Sequence, residues 1–325
     1  MTRVAVFGSG YWGKNLIRNF HALGALGKVV KRGPGGDAQI AEWAPGVALT
    51  REAEDVWNDP ALPAVVLATP AETHYTLAKR ALEAGKDVLV EKPLTLNVGE
   101  ARDLVALAAA RGRVLMVGQQ LEYHPAVEAL HALLASGELG AVRYVISERL
   151  NWGRFRSEEN ALWSLAPHDM GLILRLMGRE PREVIAAGGA WLQPKIADNA
   201  VVLMHFEGGA RAHVHVSWLH PLKQRALTVV GERQSVVFDD GAGTLQRFDH
   251  AVERKNGAPV AVTGRAHDVP FAKDEPLRRE CAHFLDCVKT RATPRTDGVL
   301  ALNVLRVLDA AQRSLESQGA PRALA

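Results

Sequence analysis

Cysteine is scarce in this chain, which carries only Cys281 and Cys287 among its 325 residues. The two lie on one predicted helix and form neither a C-x-x-C motif nor a zinc knuckle. A disulfide framework is therefore excluded, and a reducing compartment is indicated. Long apolar runs are also missing, because no stretch approaches the ~18–20 residues of a membrane helix. The opening residues lead directly into a strand, so we expect a cytoplasmic protein without a secretory signal or a membrane partner.

A strong charge bias is absent as well. Lys and Arg number 39 against 36 Asp and Glu, which leaves a formal net charge of +3 with no basic block. That balance argues against a nucleic-acid partner. His213 and His215 would suit a metal by their spacing, but they alternate with apolar residues as on the polar face of a half-covered strand, so no metal is predicted. The length suggests about two domains.

A glycine-rich turn follows the first apolar run, Val4–Phe7. The motif is Gly8-x-Gly10-x-x-Gly13, and apolar residues at helical spacing come after it. In a strand–turn–helix of this form, Gly8 allows the tight turn, Gly10 lets a pyrophosphate approach the backbone, and Gly13 lets helix and strand pack closely. The helix N-terminus then attracts the anion. We predict dinucleotide binding here; the alternative is a glycine-rich loop that binds something else or nothing.

The end of the second predicted strand carries cations instead of an acid. A dinucleotide-binding fold usually places Asp or Glu about 20 residues after the glycine motif, where it bonds the adenosine ribose. Here Val30 is followed by Lys31 and Arg32, which would suit the 2′-phosphate of NADP. The alternative is a solvated pair of cations, with Asp37 or another residue on the ribose. The predicted cofactor is therefore NAD or NADP, with a slight lean to NADP.

Two further apolar runs end in candidate site residues. Ala64–Ala68 and Asp87–Val90 are predicted to be strands buried on both faces, and ligands of open α/β sheets bind beyond the carboxyl ends of such strands. We predict Lys92 to be catalytic, because it supplies a cation at a strand end and Pro93, a possible cis proline, restricts its backbone. The alternative is an exposed lysine in an ordinary turn. Lys92 is also a predicted cofactor ligand. The others are Tyr11, Trp12, Thr69, Pro70, His74 and Glu91. The alternative for His74 is a contact with backbone alone.

Strands alternate with helical patterns up to about residue 120. Asn97–Ala110 is predicted to be a helix and Val114–Gly118 a strand, which indicates an α/β fold with a doubly wound parallel sheet. We therefore predict an amino-terminal Rossmann dinucleotide-binding domain in residues 1–120. Farther along, Ala200–Phe206 and Ala210–Trp218 are predicted to form a β-hairpin. An open sheet with one uncovered face favours a homodimer or homotetramer.

Several motifs together resemble those of the Gfo/Idh/MocA family of oxidoreductases. They are the glycine turn, Ala68-Thr69-Pro70 with His74, Val90-Glu91-Lys92-Pro93-Leu94, and Gly118 with Tyr123-His124-Pro125. The resemblance implies a second, substrate-binding and oligomerisation α/β domain in residues 121–325, with a large, mostly antiparallel open sheet. It also implies nicotinamide-dependent hydride transfer at a sugar or polyol carbon.

The same resemblance implies catalytic roles. The family's lysine maps to Lys92, and its catalytic histidine maps to His168 in the stretch Ser164–Asp169. An imidazole, with an ordinary pKa of about 6.5, suits a base that accepts a hydroxyl proton. The family's aspartate is replaced by Ser164, for which Asp169 would partly compensate. This departure keeps open a non-catalytic dinucleotide-binding sensor.

A closer resemblance is to the branch that contains nucleotide-sugar 3-dehydrogenases and 3-ketoreductases. It rests on Tyr11–Asn15, Asn151–Arg154, Leu162–Asp169 and Ser217–Lys223. The resemblance implies a nucleotide-linked sugar as the small-molecule substrate; a free sugar, a polyol or another carbonyl compound is the alternative. Arg154 would meet a diphosphate or carboxylate, unless it is a solvated loop residue. The residues predicted to bind substrate are Arg154, Asn160, Trp163 and Asp169.

Overall fold

The chain divides into two units. The computed structural model describes residues 2–33, 35–153 and 155–325. The first unit consists of the chain up to Tyr123 together with Asp274–Leu305, and the second of His124–Lys273 together with Arg306–Ala325. The first boundary lies close to the predicted one near residue 120. The segment Asp274–Leu305 corrects the predicted second domain, because it belongs to the first unit.

Helices and strands alternate regularly only in the first part of the chain. The helices are, in chain order, α1 (Tyr11–Ala22), α2 (Asp37–Trp43), α3 (Glu54–Trp57), α4 (His74–Glu83), α5 (Val98–Arg111), α6 (Pro125–Ala135), α7 (Ala161–Leu165), α8 (Pro167–Met177), α9 (Pro276–Thr290) and α10 (Gly298–Glu316). The strands are β1 (Val4–Phe7), β2 (Leu26–Val30), β3 (Ala48–Thr50), β4 (Ala64–Leu67), β5 (Asp87–Glu91), β6 (Leu115–Gly118), β7 (Val142–Trp152), β8 (Glu183–Gly189), β9 (Asn199–His205), β10 (Arg211–Ser217), β11 (Leu219–Gly231), β12 (Ser235–Asp239), β13 (Thr244–Phe248), β14 (Ala251–Lys255), β15 (Ala258–Val262) and β16 (Ala266–Asp268).

The first unit is built around a parallel sheet. Six strands lie in the order β3-β2-β1-β4-β5-β6, and their pairs are parallel. The central strands β1 and β4 are buried along their whole length, which is why their sequences are continuous apolar runs. The predicted Rossmann arrangement is confirmed. The sequence pattern does not predict β3, α2 or α3, because such short segments show no clear period.

Helix α9 completes the core of the first unit, although it lies far along the chain. Its residues Cys281, Phe284 and Cys287 are fully buried and join one apolar cluster with residues of β1 and α1. Both cysteines are free thiols. The ring of Phe284 meets that of Phe20 edge-on, with a centroid distance of 6.5 Å. Burial of this amphipathic helix against the first unit explains why Asp274–Leu305 belongs there.

The second unit contains a larger sheet. Eight strands lie in the order β16-β13-β12-β11-β7-β10-β9-β8. The pair of β7 and β10 is parallel, whereas the other pairs are antiparallel. The mostly antiparallel sheet and the predicted hairpin, now β9 and β10, are confirmed. The homodimer or homotetramer stays a prediction.

Helix ends in both units follow local side-chain chemistry. The Oδ1 atom of Asn97 accepts hydrogen bonds from the N–H groups of Gly99 and Glu100 at 2.7 and 3.2 Å, so Asn97 caps α5. Gly178 caps the carboxyl end of α8, and its φ of 62° lies in the left-handed region. Among the described helices, none combines the length and apolar character needed to cross a membrane.

Candidate active site

The glycine turn between β1 and α1 leaves a space that a dinucleotide backbone can enter. Gly8 has φ +94°, and a Cβ atom there would lie 2.5 Å from the carbonyl oxygen of Ala68. A Cβ on Gly13 would lie 2.3 Å from the carbonyl oxygen of Gly8, whereas one on Gly10 would meet no atom within 4 Å. Two glycines are therefore required by the protein itself. The third faces open space, as a pyrophosphate site requires.

The start of α1 faces the same space with unsatisfied donors. Gly10 is the N-cap and has no side chain to cap the helix, and the first turn carries no acidic residue. The first intrahelical bond runs from the N–H of Lys14 to the carbonyl of Gly10 at 2.8 Å. Earlier N–H groups of the helix are left for an anion. Tyr11 and Trp12, predicted cofactor ligands, stand beside it with 69% and 38% of their surface exposed.

The two cations after β2 are placed differently. Lys31 is buried, and its Nζ atom lies 2.5 Å from Oδ1 of Asp37 and also donates to the carbonyl of Gly35. The hydrogen bond and charge of Lys31 lower the pKa of Asp37. Arg32 is exposed. Because Lys31 already neutralises a carboxylate of its own chain, the slight lean to NADP loses one of its two supporting residues.

The segment after β4 is tied to the segment after β5 by one histidine. His74 opens α4 and is 1% exposed. Its Nδ1 atom lies 2.8 Å from the carbonyl oxygen of Pro93, and its Nε2 atom lies 2.9 Å from that of Thr69. Burial lowers the pKa of His74. Both ring nitrogens therefore face backbone oxygens, which is the alternative stated for this histidine, and His74 connects the two loops that flank it. A contact between its ring and the cofactor stays a prediction.

The loop itself is stiffened by hydroxyl groups. The Oγ1 atoms of Thr69 and Thr73 are 2.7 Å apart, and that of Thr73 also donates to the carbonyl of Pro70 at 2.7 Å. Thr69 and Pro70 thus form a short ordered rim at the carboxyl end of β4. That location is where a ligand of a doubly wound sheet binds.

Lys92 follows the last residue of β5 and precedes a cis proline. The Lys92–Pro93 peptide bond is cis, and Lys92 is partly exposed. The carboxylate of Glu91 accepts a hydrogen bond from the backbone N–H of Lys92 at 3.3 Å. Burial raises the pKa of Glu91 to about 7, against the opposing charge of Lys92. The lysine therefore sits on a backbone held by a side chain that titrates near neutral pH.

In the second unit, the side chains of Asn160 and Trp163, two predicted substrate ligands, form hydrogen bonds with other residues of the chain. Asn160 caps α7, because its Oδ1 atom accepts from the N–H of Trp163 at 3.1 Å. Its Nδ2 atom and the Nε1 atom of Trp163 both donate to Oε1 of Gln312 on α10, at 2.8 and 3.2 Å. These contacts fasten α7 to α10, so the two side chains hold the segment before His168 in place.

Asp169 is likewise engaged. It is 3% exposed and forms a two-point ion pair with Arg149. The Nε atom of Arg149 lies 2.6 Å from Oδ2, and its Nη2 atom lies 3.0 Å from Oδ1. The hydroxyl of Ser147 donates to Oδ1 at 2.7 Å. Asp169 therefore anchors α8 on β7, and its role in substrate binding stays a prediction. His168, the second residue of α8, is partly exposed beside it.

Family models match both halves of the chain. Residues 2–119 match the model described as the oxidoreductase family with the NAD-binding Rossmann fold, and residues 127–237 match the Gfo/Idh/MocA C-terminal domain. The chain belongs to the Gfo/Idh/MocA family. It is thus an NAD(P)-dependent dehydrogenase or reductase, and the non-catalytic sensor is set aside.

Relatives within the Gfo/Idh/MocA family are similar along nearly the whole chain. UDP-N-acetylglucosamine 3-dehydrogenase from Acidithiobacillus ferrooxidans is 30% identical over 93% of this chain and 94% of its own. Its solved structure has a TM-score of 0.86 at 28% identity and covers 97% of each chain. The scyllo-inositol 2-dehydrogenase (NAD(+)) of Bacillus subtilis is 26% identical over 97% of this chain and 94% of its own. GenD2 from gentamicin A biosynthesis, solved in complex with NAD, has a TM-score of 0.83 at 27% identity and covers 100% of this chain and 97% of its own.

Several buried polar contacts of the second unit are missed by sequence reasoning. Arg149 and Ser147 lie two apart on β7, a spacing that puts both on one face of the strand and would have pointed to them. Asp198, 1% exposed, accepts from the backbone N–H of Trp191 at 2.6 Å and from Nε1 of Trp218 at 2.6 Å. No local signal predicts that link. Arg154 lies outside the described residues.

Proposed function

We propose that this oxidoreductase transfers a hydride at a ring carbon of a nucleotide-linked sugar. The observation that carries the substrate class is the 30% identity to the named UDP-N-acetylglucosamine 3-dehydrogenase over 93% of the chain. The motif likeness at Asn151–Arg154 and Ser217–Lys223 supports the same branch. The substrate is thus a sugar with a nucleoside diphosphate attached, and the reacting group is a secondary alcohol or the matching ketone.

NAD is the proposed cofactor. The pairing of Lys31 with Asp37 at 2.5 Å supports it, because that cation is already neutralised. The NAD bound in the GenD2 structure supports it by similarity. When bound, the nicotinamide ring accepts or supplies the hydride. Gly10, the N-terminus of α1 and the Thr69–Pro70 rim hold the dinucleotide in this proposal.

Lys92 and His168 are the proposed catalytic groups. In the oxidising direction, the imidazole of His168 takes the hydroxyl proton from the substrate. The ammonium of Lys92 donates to oxygen and stabilises negative charge that develops there. In the reducing direction each role is reversed. Glu91 and His74 act indirectly, through the backbone of Lys92 and Pro93.

An absorbance assay for nicotinamide reduction tests the proposal. NAD and NADP are each combined with UDP-sugars, dTDP-sugars, the free sugars and inositols, and the reverse reaction is tested with the ketosugars. We expect turnover with a nucleotide sugar and NAD, and little with the matching free sugar. Turnover of free sugars alone would refute the substrate class, and a higher kcat/KM with NADP would refute the cofactor assignment.

A polyol is the second candidate substrate. The 26% identity to scyllo-inositol 2-dehydrogenase over 97% of this chain favours it. The inositols in the same assay decide between the two, because they lack a nucleotide. A kcat/KM for an inositol above that for every nucleotide sugar would favour the polyol.

A further inference from the structure

One carboxylate lies between two cations at the carboxyl ends of β2 and β3. Lys31 directly follows β2, and Arg51 directly follows β3. The residues before them, Val30 and Thr50, are partners in the parallel sheet. The Nζ atom of Lys31 lies 2.5 Å from Oδ1 of Asp37, and the Nη2 atom of Arg51 lies 3.1 Å from Oδ2. Each oxygen of the carboxylate therefore binds one cation, and we call these three side chains the ion cluster.

The ion cluster lies beside the glycine turn. The N–H of Gly8 donates to the carbonyl of Val30 at 2.9 Å, and the N–H of Lys31 donates to the carbonyl of Thr50 at 3.1 Å. These bonds join the carboxyl ends of β1, β2 and β3 side by side. When a pyrophosphate binds at a glycine turn of this kind, the ligand of the adenosine ribose comes from the end of the second strand. The ion cluster stands at that end.

Two glycines return the chain to the strand end, so that an acid 6 positions after Lys31 reaches it. Gly35 and Gly36 have φ angles of 81° and 78°, which residues with side chains rarely adopt. The Nζ atom of Lys31 also donates to the carbonyl of Gly35. Asp37 follows as the first residue of α2. A cation thus takes the usual place of the ribose-binding acid, and the carboxylate arrives from the next helix.

The different burial of the three side chains gives each a separate part. The side chain of Lys31 is 8% exposed, whereas those of Asp37 and Arg51 are 46% and 55% exposed. A buried ammonium is unfavourable without a partner, so Lys31 holds the carboxylate in place. Its hydrogen bond also lowers the pKa of Asp37, which stays ionised at neutral pH. A carboxylate has about four acceptor positions, so the half-exposed Asp37 can still accept a ribose hydroxyl.

We propose that Asp37 determines a preference of this chain for NAD over NADP. Its carboxylate accepts a hydroxyl of the adenosine ribose, and it occupies the place between Lys31 and Arg51 that a 2′-phosphate would need. Without that carboxylate, an ammonium and a guanidinium would face the same gap, and both groups bind phosphate strongly. The ion cluster therefore disfavours NADP when Asp37 is present and favours it when Asp37 is replaced. This inference rests on the proposed use of NAD and assigns it to one residue.

Fluorescence titration of the intact chain with NADH and with NADPH tests the proposal without a sugar substrate. For the unaltered protein we expect the lower dissociation constant with NADH. Asp37→Asn keeps the size of the side chain but removes its charge, so the affinity for NADPH should rise about tenfold or more, as expected for a new hydrogen bond between charged groups. NADH should bind more weakly. An unchanged ratio of the two dissociation constants would overturn the proposal, and so would tighter binding of NADPH by the unaltered protein.

The matched control is Asp59→Asn. Asp59 also pairs with a lysine of β2, because Nζ of Lys28 lies 3.8 Å from its Oδ2 atom. The control therefore changes the net charge by the same amount beside the same strand, and it should leave the ratio of dissociation constants unchanged. An equal shift in the control would show that total charge, rather than the ion cluster, sets the preference.

A second substitution identifies the cation that binds the phosphate. Arg51→Gln, added to Asp37→Asn, should cancel most of the gain in NADPH affinity. A gain that persists in full would overturn the part assigned to Arg51. Calorimetric titration with AMP and with 2′,5′-ADP, which differ only in the 2′-phosphate, locates the effect: Asp37→Asn should bind 2′,5′-ADP more tightly than the unaltered protein does and gain nothing for AMP. An equal gain for both ligands would contradict the assigned place of the phosphate.

Arg51→Gln alone replaces the main variant if Asp37→Asn does not fold. It removes an exposed cation and leaves the carboxylate less neutralised, so discrimination against NADPH should increase; an unchanged ratio would overturn the proposal. All these readouts require binding alone. Absence of turnover with every nucleotide sugar would refute the proposed function and leave the role of Asp37 to the dissociation constants. An unchanged ratio together with normal turnover of NAD would refute the role of Asp37 alone.

Discussion

Gly10 and Gly13 stand in one turn, yet the space at their α-carbons differs. A Cβ on Gly13 would lie 2.3 Å from a backbone oxygen, and one on Gly10 would meet nothing within 4 Å. We therefore expect Gly13→Ala to lower the free energy of unfolding by about 1–3 kcal/mol, the usual cost of overpacking. Gly10→Ala should leave it unchanged and weaken NAD binding about tenfold, a loss of about 1.4 kcal/mol. Denaturant titration and calorimetric binding of NAD measure the two effects. Unchanged NAD affinity in Gly10→Ala would place the pyrophosphate elsewhere.

Lys92 is the residue on which the proposed chemistry depends most. Lys92→Ala should lower kcat by about 10²–10³-fold, as for removal of one donor to a developing oxyanion, and leave the dissociation constant of NAD largely intact. Steady-state kinetics and NAD titration measure both. Lys289→Ala, an exposed lysine at the end of α9, is the matched control. A parallel loss of NAD affinity and kcat would make Lys92 a cofactor ligand instead.

His168 has a distinct signature, because a base imposes a pH dependence. His168→Asn keeps a similar size and polarity but accepts no proton, so kcat should fall by about 10²–10⁴-fold and its dependence on pH near neutrality should disappear. His213→Asn, a change at an exposed histidine of β10, is the control. A pH–rate profile of His168→Asn with the original shape would refute the base assignment.

Sequence reasoning identifies a site residue well when its role depends on neighbours within a few positions along the chain. The glycine turn depends on backbone geometry within a few residues, and Lys92–Pro93 carries its own restriction. The roles of Asp169 and Asn160 depend instead on residues that are distant in the sequence. Their partners Arg149 and Gln312 lie 20 and 152 residues away, and nothing in the local pattern reveals such a partner. Their engagement thus becomes visible only in the folded chain.

At the scale of elements, a buried ion pair fastens α8 to β7. Asp169 and Arg149 retain 4% and 13% side-chain exposure. Asp169→Ala leaves a buried guanidinium unpaired and should lower the free energy of unfolding by about 3–5 kcal/mol. The control is the exposed pair of Arg182 and Glu207, at 68% and 66% exposure. There Glu207→Ala should cost less than about 1 kcal/mol. Equal losses in denaturant titration would show that burial does not set the strength of the pair.

The placement of α8 matters because His168 lies on its first turn. Ser147 and Arg149 fix the residue next to this histidine from one side, and the cap at Asn160 fixes α7 before it. The polar side chains of this segment therefore hold α7 and α8 in place around His168. The catalytic role of His168 is the part that we propose.

At the scale of the whole molecule, the first unit is made from two separate stretches of chain. Alternating strands and helices predict its sheet, because each pattern is local. They do not predict that Asp274–Leu305 returns to it, since the apolar face of α9 would suit either unit. Only the packing of Phe284 on Phe20 and its neighbours shows that α9 belongs to the first unit.

Because the first unit consists of two separate stretches, we expect that the domain predicted from the sequence, residues 1–120, does not fold by itself. Without α9, the side of Phe20 that packs against Phe284 would be exposed. In the full chain, Phe284→Ala should lower the free energy of unfolding by about 3–5 kcal/mol, as followed by denaturant titration. The fragment that ends at Tyr123 should then show no cooperative unfolding and no NAD binding, whereas the same fragment joined by a flexible linker to 274–305 should regain both. Cooperative unfolding of the shorter fragment would mean that α9 covers a core that is already stable, and that the second stretch serves a purpose other than folding.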